Sequence, residues 1–206
     1  MNAPTRIGLI VNPIAGMGGK VGLKGTDGKT TIEKALQLGA TPGAAKRAEQ
    51  ALQPLVVLAN HFTIVTCSGE MGETACINSG LTPLIAIRIP KRTTTKVDTM
   101  VAVEKLVDAD VSLILFAGGD GTACDIFAAL QTDTPILGIP AGVKMHSAVF
   151  ATSPGAASRL ILRLLKEPSS RFPFRPAEIM DLDDNLESEH HTRTKLLGYV
   201  NVPVDR

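Results

Sequence analysis

The sequence predicts an α/β fold: a doubly wound, mostly parallel sheet covered by helices, followed by the start of a β-rich second part. Three observations carry this. Short runs rich in Ile, Leu and Val recur with little polar alternation, as strands buried on both faces do. Helix-like patterns separate the runs, and that alternation builds parallel sheets. Glycine-rich bends close two of the runs, one of them Gly118-Gly119-Asp120-Gly121-Thr122 after the run Leu113-Ile114-Leu115-Phe116-Ala117.

Taken in order, residues 6–11 read as the first strand and lead into Asn12-Pro13-Ile14-Ala15-Gly16-Met17-Gly18-Gly19. Backbone N–H groups of such a loop can cradle an anion. The same composition also serves an ordinary strand-to-helix turn, and the glycine bend downstream favours the anion. Lys20, Lys24 and Lys29 follow among further glycines. They either reach toward a phosphate or lie solvated on a surface loop. Residues 30–38 predict a short helix, and Thr41-Pro42 predicts the opening of another, since proline is tolerated in a first helical turn. Its apolar stripe is Ala44, Ala45, Ala48, Ala51 and Leu52.

Residues 62–67 predict a second strand, 70–79 a helix and 84–89 a third strand. Thr95-Lys96-Val97-Asp98 is an N-capping pattern. Val97, Met100, Val101 and Val107 then supply a helical face toward the sheet. The central strand is read over 111–117, with a helix over 123–130 that Thr122 caps through its hydroxyl. A fifth strand over 134–139 leads to a second loop, Pro140 to His146, which shares the edge of the glycine bends if the strands are parallel. Ser153-Pro154 opens a last helix to about residue 166.

Composition then shifts. The reading divides the chain into an α/β phosphate-binding domain, 1–167, and a connector with an incomplete β-rich domain, 168–206. Short strands are expected at 177–181 and 195–202, with an acidic stretch between them. Asp181, Asp183, Asp184, His190 and His191 match no defensible metal-ligand spacing and read as a solvated hairpin loop.

Asp120 is the odd member of its bend. A bare carboxylate beside a polyphosphate is repelled by roughly 1 kcal/mol at 4 Å in water, and by several-fold more in a cleft. It makes sense there if it holds Mg²⁺ or takes a proton from an attacking hydroxyl. Lys144, in the loop after the fifth strand, can neutralise phosphate charge. His146 beside it reads more readily as a structural hydrogen-bonder than as a catalyst.

Composition narrows the classes. The net charge is +1, which gives no electrostatic case for nucleic acid as a main partner. No apolar run reaches membrane-spanning length, and the N-terminus lacks the pattern of a signal peptide. Three widely spaced cysteines, Cys67, Cys76 and Cys124, argue against a disulfide framework or zinc site. A reducing cytoplasm is the plain expectation.

Gly118-Gly119-Asp120-Gly121-Thr122 resembles the signature shared by NAD kinases, diacylglycerol and sphingosine kinases and, more loosely, phosphofructokinases. The Asn12 to Gly19 loop is similar to the Asn-Pro-x-x-Gly-x-Gly loop of that superfamily. Gly138-Ile139-Pro140-Ala141-Gly142-Val143-Lys144-Met145-His146-Ser147 resembles a segment of the ATP-NAD kinase-like branch. Lipid kinases commonly carry Asn-Glu where this chain has Cys124-Asp125, which leans away from a lipid acceptor.

The resemblance implies a kinase that moves a phosphoryl group from ATP or polyphosphate to NAD, with Mg²⁺. Asp120 would be its catalytic base or hold the metal. Asn12, Gly16, Gly18, Gly19, Gly118, Gly119, Gly121, Thr122 and Lys144 would bind nucleotide and phosphate. A lipid or other small-molecule kinase, or a non-catalytic nucleotide-binding subunit, are the alternatives. Family members add a larger β-rich domain, whereas two strands cannot close a sandwich of their own. The sequence is therefore expected to be a truncated product, a fragment or half of a split enzyme. A homo-oligomer, or a partner completing the second domain, is expected with it.

Overall fold

The computed structural model describes residues 4–16, 42–90, 94–142, 144–167, 172–182 and 194–205. The described strands and helices alternate as β1 (Thr5–Val11), α1 (Ala44–Leu52), β2 (Phe62–Cys67), α2 (Glu73–Asn78), β3 (Leu84–Ile87), α3 (Lys96–Asp108), β4 (Leu113–Gly118), α4 (Asp120–Ala129), β5 (Ile136–Pro140) and α5 (Pro154–Lys166). An antiparallel hairpin, β6 (Phe174–Leu182) with β7 (Thr194–Pro203), follows. The helix expected over 30–38, Lys20, Lys24 and Lys29, Gly18 and Gly19, and Asp183, Asp184, His190 and His191 lie outside the described residues.

The five strands form one sheet in the order β3-β2-β1-β4-β5, every pair parallel. Period-two alternation splits the strands between two cores. Ile7, Leu9, Val11, Leu113 and Leu115 face α1 and α5, where Ala44, Ala48, Leu52, Ile161 and Leu164 are buried. Ile10, Ile114 and Phe116 face α3 and α4, against Val103, Leu106, Ala123 and Ile126. Both faces are covered, as the doubly wound reading expects. Ala177, Ile179, Val200 and Val202 of the hairpin complete the second core. Gly198 lies under the Phe127 ring of α4, where a Cβ would come within 2.5 Å of the ring.

Strand order fixes where ligands can sit. β2 and β3 lie on one side of β1, whereas β4 and β5 lie on the other. Crossovers leaving the carboxyl ends of β1 and β4 therefore diverge and open a crevice between them.

Local signals explain most element boundaries. Thr95 and Asp98 form the capping box of α3, with Thr95 N–H donating to Asp98 Oδ2 at 2.8 Å. Ser153 Oγ accepts from Ala156 N–H at 3.1 Å at the start of α5, with Pro154 in its first turn. One departure has a clear physical cause. The helix expected over 70–79 is broken at Gly72, whose φ of +150° and close approach to Thr66 divide it into a 3-10 turn, Gly69–Met71, and α2. Pro42 precedes α1 without entering its first turn, and Gly43 is the N-cap. The chain then continues from α1 through 3-10 turns, Gln53–His61, that anchor Leu55 in the core.

Cys67 and Cys76 lie fully inside. Burial, reinforced by the nearby charge of Asp98 and of Glu73 respectively, pushes both thiols from 9.0 up to about 12. Neither should react with a thiol reagent at pH 8 until the chain unfolds, whereas the half-buried Cys124 should react in the native state. Timed labelling followed by peptide mapping checks this. The folded thiols hold their protons more tightly, so their contribution is complete below pH 9 and is lost as pH rises toward 12.

Candidate functional site

The carboxyl ends of β1 and β4 are tied to each other. Asn12 N–H donates to the Ala117 carbonyl at 2.9 Å, extending the strand pairing by one residue. The Asn12 side chain then turns across the crevice, and its Nδ2 donates to Thr122 Oγ1 at 2.9 Å. Its Oδ1 accepts from Ile14 N–H at 3.2 Å, which folds the first loop back on itself. Both ends of one amide are thus used to set two loops against each other.

Thr122 reaches Asn12 because Gly118 lacks a side chain. A Cβ on Gly118 would lie 2.5 Å from Thr122 Oγ1 and 2.6 Å from Thr122 Cβ. This corrects two expectations. α4 begins at Asp120, three residues before the expected start, with Gly119 as N-cap and no side-chain cap. Thr122 therefore lies inside the helix, 3% exposed, and its hydroxyl ties the loops together. The early start is favoured electrostatically, since Asp120 places its charge in the first turn, where the helix dipole is positive.

The loop after β5 closes the third side. Ala141 N–H donates to the Gly118 carbonyl at 3.0 Å. Gly16, at φ +84°, abuts the Ala141 carbonyl so closely that any Cβ would collide with it. The Asn12, Gly118 and Pro140 segments singled out in the sequence therefore meet at one place.

Asp120 is half-buried at this junction. Its Oδ2 accepts from His146 N–H and its Oδ1 from Ser147 N–H, each at 2.8 Å. The contribution of His146 here is its backbone N–H. Lys144 is exposed on the same loop, and Gly121 is exposed in the first turn of α4. A Cβ on Gly119 would meet nothing within 4 Å, so the backbone there is open to an approaching group. Among the described residues no group of three or more His, Cys, Asp and Glu could hold a metal ion. A separate cavity, lined by Ser112, Asp133, Pro135, Leu164, Phe174 and Asn201, lies at the amino ends of β4 and β5.

In the sequence Ser147 stands out only as the last residue of the Gly138 to Ser147 segment. It is 6% exposed, and its hydroxyl is bonded to β6. Two backbone amides gripping a carboxylate leave no residue-type signal, so nothing in the sequence marked the pair.

The family model described as the ATP-NAD kinase N-terminal domain matches residues 7–168, well over half of the chain. Comparison with curated proteins gave no match, and comparison with solved structures gave none either. Among the described residues, no helix is long and apolar enough to cross a membrane.

Proposed function

The chain belongs to the family of the ATP-NAD kinase N-terminal domain, and on that premise we propose that it phosphorylates the 2′-hydroxyl of the adenosine ribose of NAD, giving NADP. ATP or inorganic polyphosphate is the donor in this reading. One observation supports it above the rest: glycine-bearing loops meet at the switch point of a parallel sheet around a half-buried carboxylate, Asp120.

The roles follow from placement. The open Gly119 backbone, with Gly118, Gly121 and Thr122, shapes the phosphate pocket at the start of α4. Asn12 and Gly16 set the facing loop, with Gly18 and Gly19 assigned to it by the resemblance alone. The exposed Lys144 neutralises phosphate charge. Asp120 accepts the proton of the attacking hydroxyl or helps to hold Mg²⁺. Such catalysis rests on positioning and charge stabilisation more than on covalent chemistry.

The residues present fit a magnesium ion that arrives with its nucleotide. Mg²⁺ is commonly bound by one or two carboxylates plus substrate phosphates, and needs no cage of protein ligands. An ionised carboxylate offers about four acceptor positions, of which the two amides take two. Asp120 would hold the ion, which supplies charge neutralisation for the phosphates.

NADP formation from NAD, measured with ATP and with polyphosphate in the presence of Mg²⁺, tests the reading. The expected result is NADP from at least one donor. Labelled transfer to diacylglycerol or sphingosine in preference to NAD would replace the acceptor. Calorimetric binding of NAD and ATP without turnover would convert the chain into a non-catalytic nucleotide-binding subunit.

A further inference from the structure

Ser147 joins two parts of the chain that the proposed reaction otherwise treats separately. Its N–H donates to Asp120 Oδ1 at 2.8 Å. Its hydroxyl donates to the Met180 carbonyl at 3.2 Å and accepts from Met180 N–H at 3.0 Å. The next residue, Ala148, donates its N–H to the Glu178 carbonyl at 2.9 Å. Glu178 and Met180 are two apart on β6, so their backbone groups face the same edge of the strand. Residues 147 and 148 therefore close one edge of β6, while β7 pairs along the other.

The pairing irregularity of the hairpin falls between Ile179 and Met180. Such an irregularity bends a strand and re-aims its backbone. Met180 is also reached from α4, where Cys124 Sγ donates to its carbonyl at 3.5 Å. The hairpin thus meets the site-bearing helix and the Asp120-holding loop at one residue.

We propose that Ser147 is a positioning residue that sets the Asp120 carboxylate from the β6–β7 hairpin. The proposal rests on the assignment of Asp120 to phosphoryl transfer. One hydroxyl, donor and acceptor at once, replaces the two backbone partners that a neighbouring strand would give Met180. The amide of the same residue grips the carboxylate, so a shift of β6 is carried into Asp120 through the buried Ser147 side chain, beside the Ala148–Glu178 backbone bond. A carboxylate held at both oxygens keeps one orientation, and displacements of about 1 Å from a reacting geometry can cost 10²-fold in rate. The hairpin consequently acts on the reaction through the orientation of Asp120.

Residue-resolved amide hydrogen exchange on the whole chain, alongside steady-state kinetics, tests this. In Ser147→Ala the Met180 and His146 amides should both exchange at least tenfold faster, while the sheet amides of Ile10 and Leu115 keep their protection. Its kcat should fall tenfold or more, with the nucleotide KM within twofold. Ser147→Thr, which keeps the hydroxyl, should restore His146 protection and kcat. Asp120→Asn should speed exchange at Met180 as well as at His146. Loss of protection at Met180 alone in Ser147→Ala would reduce the serine to a hairpin anchor and overturn the proposal. So would a Ser147→Thr chain that protects Met180 yet recovers neither His146 protection nor kcat. Coupled exchange in a chain that makes no NADP would instead remove the proposed reaction, leaving the mechanical joint intact.

Discussion

Asp120→Asn is expected to lower kcat for phosphoryl transfer by about 10²- to 10⁴-fold, the range a positioned acid or base contributes. The variant should also be less stable than wild type. Each Asp120 oxygen accepts a backbone amide at 2.8 Å. An asparagine keeps one acceptor and turns an NH₂ group toward the other amide, so donor faces donor. A hydrogen bond to a charged group contributes about 1.5–3 kcal/mol. The expected loss is therefore about 2–3 kcal/mol, or roughly 4–12 °C in Tm for a domain of this size. Turnover must be compared well below the lower Tm, so that unfolded chain does not mimic lost chemistry. A folded variant that turns over at near wild-type rate would remove Asp120 from the mechanism and leave it as a clasp for the loop after β5.

Much of this architecture was legible before the structure, for physical reasons that differ by element. The strand over 62–67 was read with its observed bounds, because Phe62–Cys67 is a short apolar and β-branched run with turn signals on both sides. The Thr95 capping box and the Ser153-Pro154 start of α5 were legible because a cap needs particular side chains at fixed offsets. What failed was also specific. The sequence does not show the break at Gly72 in the 70–79 helix, since a glycine's φ depends on what packs against it, here Thr66. The sequence presents Thr122 as a cap, because its neighbours do not show that Gly118 lets it fold backward. The hairpin strands expected at 177–181 and 195–202 run from Phe174 to Leu182 and from Thr194 to Pro203. Their extension depends on cross-strand pairing and on packing against α4, neither of which is local in sequence. The three loops of the site were each visible as motifs. The grip of the loop after β5 on Asp120 was not, because backbone N–H groups belong to every residue type.

Gly119→Ser is expected to leave the fold intact and to raise the nucleotide KM at least tenfold. Gly118 and Gly119 are glycines for different reasons. At Gly118 a Cβ would press into Thr122, 2.5–2.9 Å from three of its side-chain atoms, so packing alone demands glycine. At Gly119 the backbone is extended, with φ −118° and ψ −169°, and the space where a Cβ would sit holds nothing within 4 Å. Position 119 is moreover the N-cap of α4, where serine ranks above glycine by a few tenths of a kcal/mol. Folding considered by itself would therefore accept serine at 119, or prefer it. A small residue there is explained if another group must come close to the backbone, and a phosphate at the amino end of a helix is such a group. Paired measurements separate the two demands. Gly118→Ala should lower Tm through overpacking that typically costs about 1–3 kcal/mol. Gly119→Ser should hold or slightly raise Tm while ATP affinity, followed by calorimetry, falls by tenfold or more. Unchanged ATP affinity in a well-folded Gly119→Ser chain would place the phosphates elsewhere and detach the glycine bend from nucleotide binding.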